Sequence, residues 1–177
     1  RGGRFVTGVA REVSQETEGH GRGGTAQPIS AREVVCALGS WSDAIFRPLG
    51  YRIPLAVKRG YHMHYAAQGN AVLNRPVLDL DEGYVLAPMS RGIRLTTGAE
   101  FADRDAPPTP VQLARTEPVA RRVFPLGERV DETVWMGSRP CLPDMKPVIG
   151  QAPNHRGLWF AFGHNHHGFT LGPVTGR

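Results

Sequence analysis

The chain has 177 residues, of which 40% are hydrophobic and 21% charged, and its formal net charge is +5. This is the composition of an ordinary globular protein, and no apolar run is long enough to span a bilayer. The basic residues are scattered and mostly arginine. Because they form no blocks and are not interleaved with aromatic residues, we expect no nucleic-acid partner.

The first fifty residues contain two apolar stretches separated by a polar loop. Residues 5–13 predict a strand in which Ala10 faces inward, and the glycine-rich residues 15–27 predict a surface loop. The run 33–38 predicts a strand buried on both faces. Ser40 or Ser42 is then expected to cap a short helix that stops at Gly50.

From Tyr51 the pattern changes to short apolar runs separated by turn residues, which favours an antiparallel sheet. Residues 110–124 predict a helix on both sides of Pro118, which should kink or break it. Strands are expected at 53–65 with bends at Pro54 and Gly60, at 76–80, at 83–88, at 92–98 after a hairpin turn at 89–92, and at 133–136.

The end of the chain contains an apolar run, 158–162, that breaks into Gly-His-Asn-His-His-Gly and resumes at Phe169. This predicts a buried strand, a tight polar turn and the start of a helix. Such a junction directs backbone N–H groups towards an anionic or polar ligand. Adjacent histidines in a tight loop rarely point at one ion, and no partner pattern completes a site, so we expect no metal.

The two cysteines, Cys36 and Cys141, have no spacing that indicates a disulfide framework. Cys36 lies inside an apolar run and is expected to be a small buried hydrophobe. A reducing, cytoplasmic location is therefore the expectation.

Three motifs near the end carry a resemblance to a known family. They are Gly137-Ser-Arg-Pro140, Pro143-Asp144 followed by Pro147-Val-Ile-Gly150, and Gly163-His164 followed by Gly168-Phe-Thr-Leu171 and Gly176. Together with Val34–Ser42 they resemble the FAD-dependent D-amino-acid dehydrogenase/oxidase family, which includes glycine and sarcosine oxidases. The resemblance implies an α/β or α+β fold. Pieces of a Rossmann-like FAD-binding domain would lie at 1–50 and 136–177, and an inserted antiparallel substrate domain at 51–135.

The resemblance also implies where FAD would bind. Backbone N–H groups from His166 to Thr170 would approach the ring oxygen and N1 of the flavin. Some relatives carry Lys or Arg in this loop, so the substrate stays open. Gly137 stands where the sarcosine-oxidase branch attaches FAD through a cysteine, so we expect non-covalent FAD. The expected cofactor contacts are Ala10, Ala37, Gly39, Trp41, Gly163, His164, His166, His167, Gly168, Phe169 and Thr170.

Arg139 matches the arginine that, in this family, fixes the substrate carboxylate over the flavin. A planar guanidinium can hold a carboxylate with two parallel hydrogen bonds. On the residues alone, a structural ion pair with Asp144 is the alternative. Tyr84 is a second candidate for the same carboxylate, because some members place a tyrosine on this strand. Its alternative is simple packing. The sequence offers no convincing catalytic base.

The implied reaction is oxidation of the C–N bond of a D-amino acid by hydride transfer to flavin N5, followed by hydrolysis of the imine. An amine oxidase of the glycine or sarcosine type, producing hydrogen peroxide, and a non-catalytic carboxylate-binding module are the alternatives. An electron acceptor at the membrane is a candidate partner, with the protein cytoplasmic or peripheral to the inner membrane.

The Gly-x-Gly-x-x-Gly turn that binds the pyrophosphate precedes, in the family, everything present here. We therefore expect the C-terminal portion of a longer enzyme, cut before its last helix. This portion should be inactive without the N-terminal part of its own chain.

Overall fold

The computed structural model describes Val13, Ile29 and residues 31–177. The chain divides into two compact units. The first unit combines Arg1–Ala56 with Pro140–Arg177, and the second is Val57–Arg139. The predicted loop at 15–27, Ala10 and all of the predicted strand at 5–13 except Val13 lie outside the described residues.

The described elements alternate between short strands and three helices. In chain order they are β1 (Val34–Cys36), α1 (Asp43–Phe46), β2 (Ala56–Ala67), β3 (Val77–Asp79), β4 (Tyr84–Met89), β5 (Gly92–Thr97), β6 (Glu100–Phe101), α2 (Val111–Val123), β7 (Leu126–Arg129), β8 (Trp135–Cys141), β9 (Val148–Gln151), β10 (Leu158–Phe162) and α3 (Gly168–Thr175).

The first unit contains a three-stranded mixed sheet in the order β1-β10-β9. Strands β1 and β10 run parallel, with Cys36 opposite Phe160, and β9 runs antiparallel to β10. The prediction of a β1 strand buried on both faces is wrong, because Val35 is 59% exposed. Among the described strands β1 lies at the edge of the sheet, and only the face that carries Cys36 joins the core.

The segment after β1 is less helical than predicted. A single 3₁₀ turn at Gly39–Trp41 leads directly into the four-residue α1. Ser42 precedes α1 but has helical backbone angles and no side-chain capping bond. The helix ends at Phe46 and is followed by a turn over residues 47–50, in which Gly50 has a φ of +87°.

The second unit is built on a seven-stranded sheet in the order β3-β4-β5-β2-β6, with β7 and β8 also pairing with β2. The predicted antiparallel sheet is confirmed, since β2 runs antiparallel to β5, β6 and β7, and β4 to β3 and β5. The predicted hairpin is confirmed by the pairing of Met89 with Gly92. β2 is one strand of twelve residues that passes through Gly60 without interruption, and the bend expected there stays a prediction.

Helix α2 packs on one face of this sheet through Leu113 and Ala120, against Met63 and Leu95. The helix is not broken at Pro118, since α2 runs without interruption through it, and the kink expected as the alternative stays a prediction. A proline removes one backbone hydrogen bond, but tertiary packing supplies most of a helix's stability in proteins. Here, buried side chains on both sides of Pro118 hold the two halves against the sheet.

Candidate functional site

The two faces of the second unit's sheet differ, because successive residues of a strand point to opposite sides. Met63 and Tyr65 of β2 face α2, so Gly60, His62 and His64 face the other way. Cross-strand partners share a face, which assigns further residues to this side. We call it the open face: Gly60, His62, His64, Val85, Ala87, Arg94, Thr96, Trp135, Gly137 and Arg139.

Arg139 lies flat across β2 at Gly60. A Cβ atom added to Gly60 would come within 2.6 Å of Arg139 Cζ, so any other residue would displace the guanidinium. Arg139 is half-buried at this position. The glycine thus lets a planar, always-charged group lie on the open face, and such a group is suited to bind a carboxylate with two parallel bonds.

Trp135 lies in the same way over Gly137, its neighbour two residues along β8. A Cβ atom on Gly137 would lie 2.6 Å from the indole Cζ3. The indole also stacks on His62, with ring centroids 4.5 Å apart and planes at 22°. Burial, and then the positive charges of His64 and Arg94, lower the pKa of His62 to about 4, so this imidazole is neutral at pH 7.

Both carboxylate oxygens of Asp131 form hydrogen bonds beside this stack. Its Oδ2 accepts the backbone N–H of His64 at 3.2 Å and lies 2.7 Å from His64 Nδ1, while its Oδ1 accepts from Arg91 Nη2 at 2.6 Å. The hydrogen bond from His64, followed by the charge of Arg91, holds the pKa of Asp131 below its usual value. The carboxylate therefore stays charged and serves to fix His64.

The low pKa of His62 gives a testable pH dependence. An unfolded histidine titrates near about 6.5, so between that value and about 4 the unfolded chain binds a proton at His62 that the folded chain does not. Stability should therefore fall as the pH drops from about 6.5 to about 4. His62 should account for roughly 1–2 kcal/mol of this loss after allowance for solvent screening.

The measurement is a titration of the His62 ring proton by NMR, with unfolding followed at pH 7 and pH 4.5. The variant His62→Gln should lose this part of the dependence. A His62 midpoint near 6.5 would contradict the expectation.

Tyr84, the second predicted carboxylate ligand, is not on the open face. It is 1% exposed and packs in the core between the sheet and α2 with Leu86. Burial, with Asp79 beside it, raises the pKa of Tyr84. The residue of β4 that faces the side of Arg139 is Val85, opposite Thr96. The structure therefore does not bring Tyr84 and Arg139 together, and Tyr84 is left out of the proposed site.

In the first unit, the predicted cofactor residues gather at one edge of the three-stranded sheet. Because β1 and β10 are parallel, their carboxyl ends meet at the same edge, where ligands bind in open α/β sheets. Ala37, Gly39 and Trp41 follow β1. The loop 163–167 follows β10, and its Asn165 donates its backbone N–H to Pro140 O at 3.0 Å and its side-chain amide to Met145 O at 3.1 Å.

The loop leads into α3 without a side-chain cap at His167 and with no acidic residue in the first turn. The first N–H groups of a helix have no acceptor within the helix and carry a partial positive charge. Phe169 in this turn is fully exposed. His164 Nε2 lies 3.0 Å from Thr175 Oγ1 and ties the loop to the helix. This edge therefore suits an anionic or electron-accepting ring such as a flavin.

The described part of the chain also bears on other classes of site. There, no group of three His, Cys, Asp or Glu residues could hold a metal ion. No helix within that part is long and apolar enough to cross a membrane. Both cysteines are buried and neither is in a disulfide, and burial raises the pKa of Cys36. Cys36 is thus the small buried hydrophobe that the sequence predicts.

The comparisons with known proteins identify the class. A family model described as FAD dependent oxidoreductase matches residues 1–177. D-amino acid dehydrogenases from Paramagnetospirillum magneticum and Cereibacter sphaeroides are 34% and 33% identical. The first match covers 84% of this chain and 36% of the relative's own length, and the second covers 98% and 40%. A glycine oxidase from Pseudomonas putida is 29% identical over 96% of this chain and 46% of its own.

Solved structures agree with this class. Glycine oxidase from Geobacillus kaustophilus matches with a TM-score of 0.69 at 25% identity, over 83% of this chain and 40% of that one. Iminodiacetate oxidase from Chelativorans sp. matches with 0.67 at 25% identity, over 85% and 42%.

The fold is thus mixed α/β, of the kind found in flavin-dependent oxidases. The chain belongs to the family of FAD-dependent oxidoreductases described by the matching model. It spans 36–46% of the length of the curated relatives named above.

Proposed function

We propose that the protein carrying this chain is a D-amino-acid dehydrogenase that oxidises the C–N bond of its substrate with bound FAD. The observation that carries the proposal is Arg139, whose guanidinium lies on Gly60 on the open face of the sheet. The guanidinium is always charged and can form two parallel hydrogen bonds, so its position here favours a substrate with a carboxylate. The names of the relatives that are 33–34% identical support the same substrate class.

Two parts of the chain would carry this chemistry. Arg139 of the second unit would hold the substrate carboxylate by two hydrogen bonds, which orients the amine-bearing carbon. At the carboxyl edge of the first unit, backbone N–H groups from His166 to Thr170 would stabilise negative charge on the flavin ring. FAD would supply the two-electron acceptor for C–N oxidation.

We also propose that FAD is not covalently attached. Gly137, at the position where related enzymes carry an attaching cysteine, has no side chain to form a bond, and the Trp135 indole covers it. The flavin should therefore stay in solution when the protein is precipitated with acid, and flavin in the pellet would refute this point.

The proposed role of Arg139 is tested by its replacement in the FAD-loaded protein. A hydrogen bond to a charged group contributes roughly 1.5–3 kcal/mol, so Arg139→Ala should lower kcat/KM for a D-amino acid about ten- to a hundredfold. Arg139→Lys keeps the charge but loses the fork, so its kcat/KM should lie between those of Arg139→Ala and wild type. An amine substrate without a carboxylate should be affected much less.

The matched control is Arg75→Ala, which removes an exposed arginine from the same unit. It should leave these constants unchanged. If Arg139→Ala and Arg75→Ala have the same kinetics with amino acids, the carboxylate is bound elsewhere and the proposal fails.

An amine oxidase that produces hydrogen peroxide is the second candidate, favoured by the similarity to the Pseudomonas putida and Geobacillus kaustophilus glycine oxidases. Turnover with oxygen alone and stoichiometric peroxide would support it. Turnover that requires an added quinone acceptor would support the dehydrogenase.

A further inference from the structure

The open face has a second planar group beside Arg139. Gly60 and Gly137 lie on adjacent strands, and the side chains lying over them are Arg139 and Trp135. The guanidinium and the indole therefore both lie close to the backbone. His62 covers one face of the indole, yet Trp135 as a whole is 55% exposed, so part of the ring is available to a ligand.

The spacing between these two groups fits one small molecule. The indole lies over Gly137, two residues from Arg139, which corresponds to roughly 7 Å along a strand. That span matches the reach of an aromatic amino acid from its carboxylate to its ring. A ligand held by Arg139 would thus place its side chain over the indole.

The surroundings leave room for a ring. Val85, Ala87 and Thr96, the nearest open-face residues of β4 and β5, have small side chains. An open cleft of about 500 Å³ borders His62 and Trp135 on the side of residues 130–134, and Arg139 is not among its lining residues. The room for a ring between Arg139 and Trp135 therefore comes from the small open-face side chains.

We propose that Trp135, supported by His62, is the binding surface for the substrate's side chain and selects a flat aromatic ring over a small group. This inference rests on the proposed role of Arg139 as the carboxylate ligand. It makes the preferred substrate an aromatic amino acid, whereas the carboxylate clamp alone would accept any amino acid.

The test uses binding, with two carboxylates that lack an amine and cannot be oxidised: 3-phenylpropanoate and propanoate. Dissociation constants are measured by titration calorimetry on the FAD-loaded protein. An aromatic pair contributes about 0.5–1.5 kcal/mol beyond area burial, so Trp135→Ala should reduce the preference for 3-phenylpropanoate over propanoate about two- to tenfold. Trp135→Phe keeps a ring and should restore most of that preference.

The control is Phe101→Ala. Phe101 is the cross-strand partner of Lys58, so it is an exposed aromatic on the same side of the sheet, but beyond Gly60 from Trp135. It should not change the preference. Loss of the preference in Phe101→Ala, or an unchanged preference in Trp135→Ala, would overturn the inference.

The variant Arg139→Ala separates this inference from the function on which it rests. It should weaken both carboxylates by a similar factor. If it weakens neither, the carboxylate clamp is refuted and the side-chain surface falls with it. If it weakens both while Trp135→Ala leaves their ratio unchanged, the clamp stands and only the aromatic selectivity is refuted.

Discussion

Replacing Arg59 by alanine should lower the free energy of unfolding of the second unit by about 3–5 kcal/mol. Arg59 is 1% exposed in β2. Its Nε donates to Glu100 Oε2 at 2.8 Å, and its two terminal nitrogens donate to the carbonyls of Asp103, Ala106 and Pro107. One side chain thus fastens the loop after β6 to the centre of the sheet.

The cost is large because the partners stay behind. Without Arg59, three carbonyls lose a charged donor, and Glu100 keeps only its bonds from Tyr61 and Thr109. The hydrogen bond from Tyr61, and then Arg59, holds the pKa of Glu100 below its usual value. A carboxylate whose pKa is depressed by folding stabilises the folded unit, and this stabilisation is lost as the pH falls through that pKa. The stability of the wild-type unit should therefore depend more strongly on acid pH than that of Arg59→Ala.

Chemical denaturation, read together with amide exchange in β2 and β5, measures this loss. Arg59→Lys retains the charge but not the fork and should cost an intermediate amount. Arg75→Ala, which removes an exposed arginine, should stay within about 0.5 kcal/mol of wild type. Equal losses in Arg59→Ala and Arg75→Ala would mean that the buried network does not stabilise the unit.

The parts of the fold that depend on short-range chemistry could be predicted from the sequence. The hairpin at Met89–Gly92 and the strand-turn-helix of β10 and α3 formed as expected, because turn residues separate short apolar runs there. The expected break at Pro118 did not form. Packing between distant segments, with buried side chains on both sides of Pro118 held against the sheet, outweighs the local preference there.

The candidate site also has one part that could be predicted from the sequence and one part that could not. Arg139 and the loop after β10 belong to contiguous motifs, which can be recognised directly in the sequence. His62 and Trp135, which stack, are 73 positions apart, and His64 and Asp131, which form a hydrogen bond, are 67 positions apart. No local sequence pattern predicts either contact. Tyr84 was misplaced because a shift of one residue moves a side chain to the other face of a strand, and the register is decided by long-range pairing.

Phe162 lies at the base of the proposed flavin loop. It is the final residue of β10, directly before Gly163. It is 1% exposed, and its ring stacks on Phe46 at 5.5 Å and meets Phe160 edge-on at 5.6 Å. Phe162→Ala should therefore cost the first unit about 3–5 kcal/mol, because it removes a fully buried ring and leaves a cavity.

Two variants of the same strand serve as controls for Phe162→Ala. Phe162→Leu keeps most of the volume and should cost about 1 kcal/mol. Trp159→Ala removes a larger ring from the opposite, partly exposed face, where the indole donates to Glu33, and should cost about 1–2 kcal/mol. In Phe162→Ala the amide of Asn165, which donates to Pro140, should also exchange faster, since the strand that carries the loop is loosened. If Phe162→Ala were no more costly than Phe162→Leu and the Asn165 amide stayed protected, the stacked rings would not be what holds the loop in place.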